Sequence, residues 1–131
     1  MGKLKLAFAF LATLVAPGTT SSADPVEQAV IVHFQYGSTD LGQLFALEGL
    51  LEKAIADAKV GEYDGNEVRE DGADGYLYMY GPNADRLFET VIPILTKTDF
   101  MAGAVVKRRY GPPKDGVREV STTIPVSQDH S

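Results

Sequence analysis

The amino-acid sequence predicts an α+β fold, in which two helices cover one face of a four-stranded antiparallel sheet. Apolar and polar residues alternate in residues 29–36 and again in 75–80, which is typical of strands with one buried face. An apolar stripe of helical period follows each of these stretches. Between the two halves, the aspartates and glycines of residues 71–75 favour a tight turn and therefore a hairpin.

The first 23 residues have the layout of a cleavable signal peptide. Lys3 and Lys5 precede the apolar run 6–15, and small residues lead up to Ala23. This run is far shorter than the roughly 20 apolar residues that span a bilayer, so a membrane anchor is the less favoured interpretation. We therefore expect an exported protein, periplasmic or secreted, that keeps no stable membrane anchor after cleavage.

The remaining chain is predicted to form one domain at residues 24–115 and a C-terminal tail at 116–131, with a candidate extra strand at 117–126. The formal charge of −6 becomes −8 after cleavage, because the removed segment holds two lysines and no acid. Such a charge repels phosphate and argues against nucleic-acid binding. The absence of cysteine excludes disulfides, thiol nucleophiles and thiolate metal sites.

The first half of the domain predicts a strand and a helix. Residues 29–36 form two faces: one carries Val30, Val32, Phe34 and Tyr36, and the other carries Ile31, His33 and Gln35. A helix is expected over residues 41–59, with Asp40 as its N-cap and Gln43 completing a capping box. Its apolar positions recur every three or four residues, at Leu44, Leu47, Leu51, Ile55 and Ala58.

The second half repeats this arrangement after the hairpin, whose arms are residues 61–69 and 75–80. Asn83 is the expected N-cap of the second helix, and Asp85 suits its first turn. Pro93 removes a backbone hydrogen bond, so we expect a kink or an early end there. A strand at residues 104–110 completes the order β-α-β-β-α-β, which is the order of a ferredoxin-like two-layer sandwich.

Three segments of the sequence also resemble a group of small uncharacterised bacterial proteins of ferredoxin-like type. They are GEYDGNE at 61–67, YMYGPNADRLF at 78–88 and RYGP at 109–112. The resemblance covers about residues 30–113 and implies a compact α+β domain. The group has no established activity, so the resemblance implies no catalytic or binding residue.

The sheet face opposite the helices is the candidate binding surface. Aromatic side chains together with arginine are typical of interface hot spots, although tyrosines also simply suit strands. On this assignment Arg108 shares the helix-covered face with Val106. Burial of its charged side chain there would be unfavourable without a partner. The predicted surface residues are His33, Gln35, Tyr76, Tyr78, Tyr80, Lys107 and Arg109.

Catalytic and metal sites have weaker support. The acids around the hairpin offer the oxygens that calcium prefers, but their spacing does not match a calcium loop, and edge protection explains them as well. No nucleophile, zinc or phosphate-loop motif is present. His33 with Glu62 or Asp64 across the sheet could act as a general base.

The sequence thus favours an exported, non-catalytic interaction domain without cofactor or metal, which binds a protein partner or forms a homodimer through this face. The alternative is a small-molecule- or metal-binding enzyme that uses His33 and neighbouring acids.

Overall fold

The computed structural model describes residues 27–126, which form a five-stranded antiparallel sheet and two helices. The predicted signal peptide lies outside the described residues, as do residues 127–131 of the tail. Within the described range, neither helix has the length and apolar character needed to cross a membrane. The strands are β1 (Gln28–Gln35), β2 (Glu62–Val68), β3 (Asp74–Gly81), β4 (Val105–Arg109) and β5 (Glu119–Thr123); the helices are α1 (Gly42–Ala58) and α2 (Ala84–Thr96), with a short 3₁₀ helix at Asp99–Met101.

The strands follow the spatial order β2-β3-β1-β4-β5, and every neighbouring pair is antiparallel. The α+β class is therefore confirmed, but the predicted count of four strands is wrong. Residues Glu119 to Thr123 pair with β4 along its whole length, from Arg109 to Val105. Their β-branched side chains suit a strand, and the pairing satisfies backbone groups of β4 that would otherwise lie at an open edge.

The core lies between the sheet and the helices. Val30, Val32 and Phe34 of β1 and Leu77 and Met79 of β3 are fully buried on the face that the helices cover, as the alternation predicts. Both helices bury one stripe of helical period against these residues. The helix residues of the core are Leu44, Leu47, Leu51, Ile55, Ala84, Leu87, Val91 and Leu95.

The helix ends follow the sequence signals in part. Asn83 caps α2 as predicted, because its side-chain oxygen accepts from the backbone N–H of Arg86 at 3.1 Å. The N-cap of α1 is Leu41 rather than Asp40, and Asp40 Oδ1 instead accepts from the N–H of Gly42 at 2.9 Å. The early end at Pro93 is wrong, since α2 continues to Thr96.

The hairpin between β2 and β3 docks onto the loop that follows β1. The N–H groups of Tyr36 and Gly37 donate to the carbonyls of Ala73 and Gly72, at 2.8 and 2.7 Å. Gly72 has a φ of +74°, and a Cβ there would lie 2.1 Å from the carbonyl oxygen of Ser38. This close approach therefore requires glycine and fixes the hairpin turn beside the end of β1.

Candidate binding face

The sheet face away from the helices, called the open face below, contains all the residues predicted for the binding surface. Directly paired residues of antiparallel strands point to the same side of a sheet. Ile31 pairs with both Tyr78 and Lys107, and His33 pairs with Tyr76, so these side chains share one face. The same register places Gln35, Tyr80 and Arg109 there.

His33, Tyr76 and Tyr78 form a ladder of parallel rings across β1 and β3. The His33 and Tyr76 ring centroids are 4.4 Å apart with an interplanar angle of 12°, and those of Tyr76 and Tyr78 are 6.1 Å apart at 16°. Tyr76 remains 39% exposed. Because the rings stack on one another, each covers part of its neighbour, and the ladder offers its edges and polar atoms to a contacting molecule.

His33 contacts Asp74, which is not one of the two acids predicted to pair with it. Its Nε2 lies 2.7 Å from Asp74 Oδ2, whereas Glu62 lies opposite Tyr80 on the far side of β3. The predicted pairing with Glu62 or Asp64 is therefore replaced by one with Asp74. The second oxygen of Asp74 is buried, accepts no hydrogen bond from the described residues, and lies 3.6 Å from the Nε of Arg69.

Tyr78 is tied to the edge of the face through Glu67. Its hydroxyl donates to Glu67 Oε1 at 2.6 Å. Burial, and next this hydrogen bond, raise the pKa of the Tyr78 phenol, and burial also raises the pKa of Tyr80. Both phenols consequently remain neutral hydrogen-bonding groups at physiological pH.

The two predicted cations of the open face differ in availability. Arg109 is only 8% exposed, and its Nε donates to the carbonyl of Gly111 at 2.7 Å. Lys107 is more exposed, and its Nζ lies 3.6 Å from Glu119 Oε1 of β5. Lys107 can therefore reach a contacting molecule, whereas Arg109 mainly holds the turn after β4.

Arg108 has partners for its charge on the helix-covered side of the sheet. It lies at the edge of the helix-covered face, where its Nη1 donates to Asp85 Oδ1 at 3.0 Å and its guanidinium lies 4.2 Å from the Phe88 ring centroid. Tyr110 also donates to Asp85. The cation is thus accommodated by a carboxylate and an aromatic ring of α2.

The acidic arm of the hairpin does not assemble a metal site in the part of the chain that the structure describes. No group of three or more histidines, aspartates and glutamates is placed to hold an ion among residues 27–126. Asn66 of β2 donates to Glu48 at 2.8 Å, and the Tyr63 hydroxyl donates to the same carboxylate. These contacts join β2 to α1.

Comparison with known proteins provides no function that could be transferred to this chain. No protein family matches it, and no curated protein or solved structure is detectably similar. The resemblance of the three segments to a ferredoxin-like group therefore stays a prediction. A function for this chain is therefore inferred from the geometry and chemistry of the open face.

Proposed function

We propose that this protein is an exported, non-catalytic domain that binds a protein partner, or a second copy of itself, through the open face. The single observation that carries the proposal is the ring ladder of His33, Tyr76 and Tyr78 on a sheet face that bears no helix among the described residues. Pre-ordered aromatic rings lose little conformational entropy on binding, which makes them effective contact residues.

Apolar and polar groups around the ladder support the same function. Ile31 is half-buried beside Tyr78, and Val105 is 37% exposed across from His33. Gln35 and Lys107 add hydrogen-bond donors at opposite ends of this patch. An aromatic and aliphatic centre with a polar rim is the usual arrangement of a protein interface.

The test compares aromatic residues on the two sides of the molecule. Tyr76→Ala and Tyr78→Ala remove rings of the ladder, and Phe45→Ala is the matched control, because Phe45 is 57% exposed on α1 in the helix layer. Bait proteins carrying these changes would be used for pull-down from the native cell envelope, with quantitative mass spectrometry and light scattering. We expect at least tenfold weaker capture, or loss of a dimer, for the tyrosine variants only.

Equal capture and equal mass for all three variants would contradict the proposal. Circular dichroism and urea unfolding of each variant would show whether a loss of capture reflects a lost contact or a lost fold.

A second candidate function, a small-molecule-binding enzyme, is favoured by the contact of His33 with Asp74. A carboxylate on one imidazole nitrogen orients the ring and leaves the other nitrogen to exchange a proton. A shallow depression lined by Glu67, Arg69, Asp74 and Tyr76 adjoins this pair. A ligand whose binding shifts the His33 ring signals in NMR spectra, and is lost in His33→Ala, would favour the enzyme over the interaction domain.

Two finer features belong to the same proposal. The inner order β2-β3-β1-β4 with both helices on one face supports a ferredoxin-like sandwich to which β5 is added.

Export is tested by expression of the full chain with its N-terminal segment and by N-terminal sequencing of the product. A mature protein that begins at Asp24 in the exported fraction is the expected result.

A further inference from the structure

The two edge strands of the sheet differ in their readiness to pair with another strand. β2 has a register shift between Tyr63 and Gly65, and it carries the acids Glu62, Asp64 and Glu67. Bulges and charges of one sign both discourage pairing between copies. β5 pairs with β4 in an uninterrupted register and carries one charged residue, Glu119. Of the two edges, β5 is therefore the one suited to a further strand.

The backbone of β5 presents unpaired groups at this edge. In an antiparallel strand the N–H and C=O of one residue point to the same neighbour, and successive residues alternate between the two sides. The N–H and C=O of Ile124 both bond toward β4, to Ala104 and Gly103. The N–H and C=O groups of residues 120 and 122 therefore also point toward β4. Those of Glu119, Ser121 and Thr123 point the opposite way, away from every described strand.

We propose that two copies of this chain pair through β5 in antiparallel orientation, with Ser121 facing Ser121 of the second copy. This register places Glu119 opposite Thr123, so that no like charges face one another. Each of the three outward-facing residue pairs would exchange two N–H···O bonds. The serine and threonine hydroxyls on the open-face side can add cross-strand hydrogen bonds.

The occupant of this edge is a second copy because β5 is self-complementary. The two-fold operation brings Val120 opposite Thr122 on the helix side, where Arg108 already holds Thr122 through a 3.4 Å contact. A two-fold axis perpendicular to the sheet yields one continuous sheet, with both open faces on the same side. The dimer would thus present two open faces on the same side. Its formation through β5 does not require that those faces bind a partner.

A charge-swap experiment tests this pairing. The side chain of Ser121 lies on the open face and would sit beside its own copy at the two-fold axis, so Ser121→Lys and Ser121→Asp each place like charges opposite one another. We expect the purified wild-type protein to form a concentration-dependent dimer in sedimentation equilibrium. Each variant alone should dimerise at least tenfold more weakly, and an equimolar mixture of the two should dimerise at least as well as wild type.

A cysteine cross-link provides a second readout, since the chain contains no cysteine. Hydrogen-bonded antiparallel pairs have Cα atoms about 5.5 Å apart, which is within disulfide range. Ser121→Cys should therefore form covalent dimers on mild oxidation, and Ala46→Cys on the exposed surface of α1 should not.

A wild-type protein that is monomeric at every concentration would overturn the proposal. A dimer that both Ser121 charge variants leave unchanged would also overturn it. Loss of the dimer in Tyr78→Ala but not in the Ser121 variants would assign association to the open face instead.

Discussion

The two faces of β1 and β3 differ completely, although the same two strands form both of them. Leu77 is fully buried under the helices, while its neighbours Tyr76 and Tyr78 stack in the ladder on the open face. Hydrophobic burial explains the first face, because removal of apolar surface from water stabilises the fold. The second face keeps aromatic surface that the domain itself does not bury. Stability and binding are therefore expected to depend on alternate residues of one strand.

The largest expected difference in stability is between variants of two adjacent residues of β3. Leu77→Ala opens a cavity in the core and should lower the free energy of unfolding by about 2–5 kcal/mol. Tyr78→Ala should lower it by about 1 kcal/mol, since its ring is only partly buried. Urea unfolding of both variants measures the difference. Similar losses would mean that the open-face rings also form part of a core.

The second test uses neighbouring cations of β4. Arg108→Ala loses the packing on Phe88 and the bond to Asp85 at the helix-covered side, so we expect a loss of about 1–2 kcal/mol. Lys107→Ala on the open face should change stability by less than about 0.5 kcal/mol, because its ion pair is exposed. Arg108→Lys is the control that keeps the charge without the planar stack. Thermal unfolding of the three variants measures these losses of stability. Equal losses for all three would contradict the different surroundings assigned to Arg108 and Lys107.

The smallest expected effect is a pH dependence at the helix-covered side. The hydrogen bond from Tyr110, and next the interaction with Arg108, hold the pKa of Asp85 below its usual range. A folded pKa below the unfolded value stabilises the protein above about pH 4, and this stabilisation is lost as the pH falls through the lowered pKa. Wild type should therefore exceed Asp85→Asn in urea midpoint at about pH 7, and the difference should shrink at about pH 3. A difference that grows on acidification would contradict this interpretation.

The division into two faces could be predicted from the sequence because it depends only on alternation. Val30, Val32 and Phe34 are apolar at every second position, and a strand then has one arrangement that buries all three. The same logic placed His33, Tyr76 and Lys107 together on the other side. Asn83 was recognisable as a cap because its signal is local.

Features that depend on register or on distant partners could not be predicted. The contact of His33 with Asp74 follows from the pairing of Gln35 with Asp74, and nothing in either strand alone fixes that offset. A candidate extra strand was predicted at residues 117–126, but its membership of the sheet depends on its pairing with β4, because residues 119–123 alternate too weakly to indicate a buried face. The continuation of α2 past Pro93 reflects the burial of Leu95, which packing in the core stabilises.

The docking of the hairpin turn on the loop after β1 also determines where this protein can be labelled. An affinity tag or a fluorescent domain inserted at Gly72 would separate the carbonyls that Tyr36 and Gly37 bind, and would collide with the loop. Residues 112–116, between β4 and β5, are exposed throughout and lie outside the strands. An insertion there leaves the helix layer, the ring ladder and the hairpin contacts in place, so it is the natural attachment point for following the protein in its native compartment.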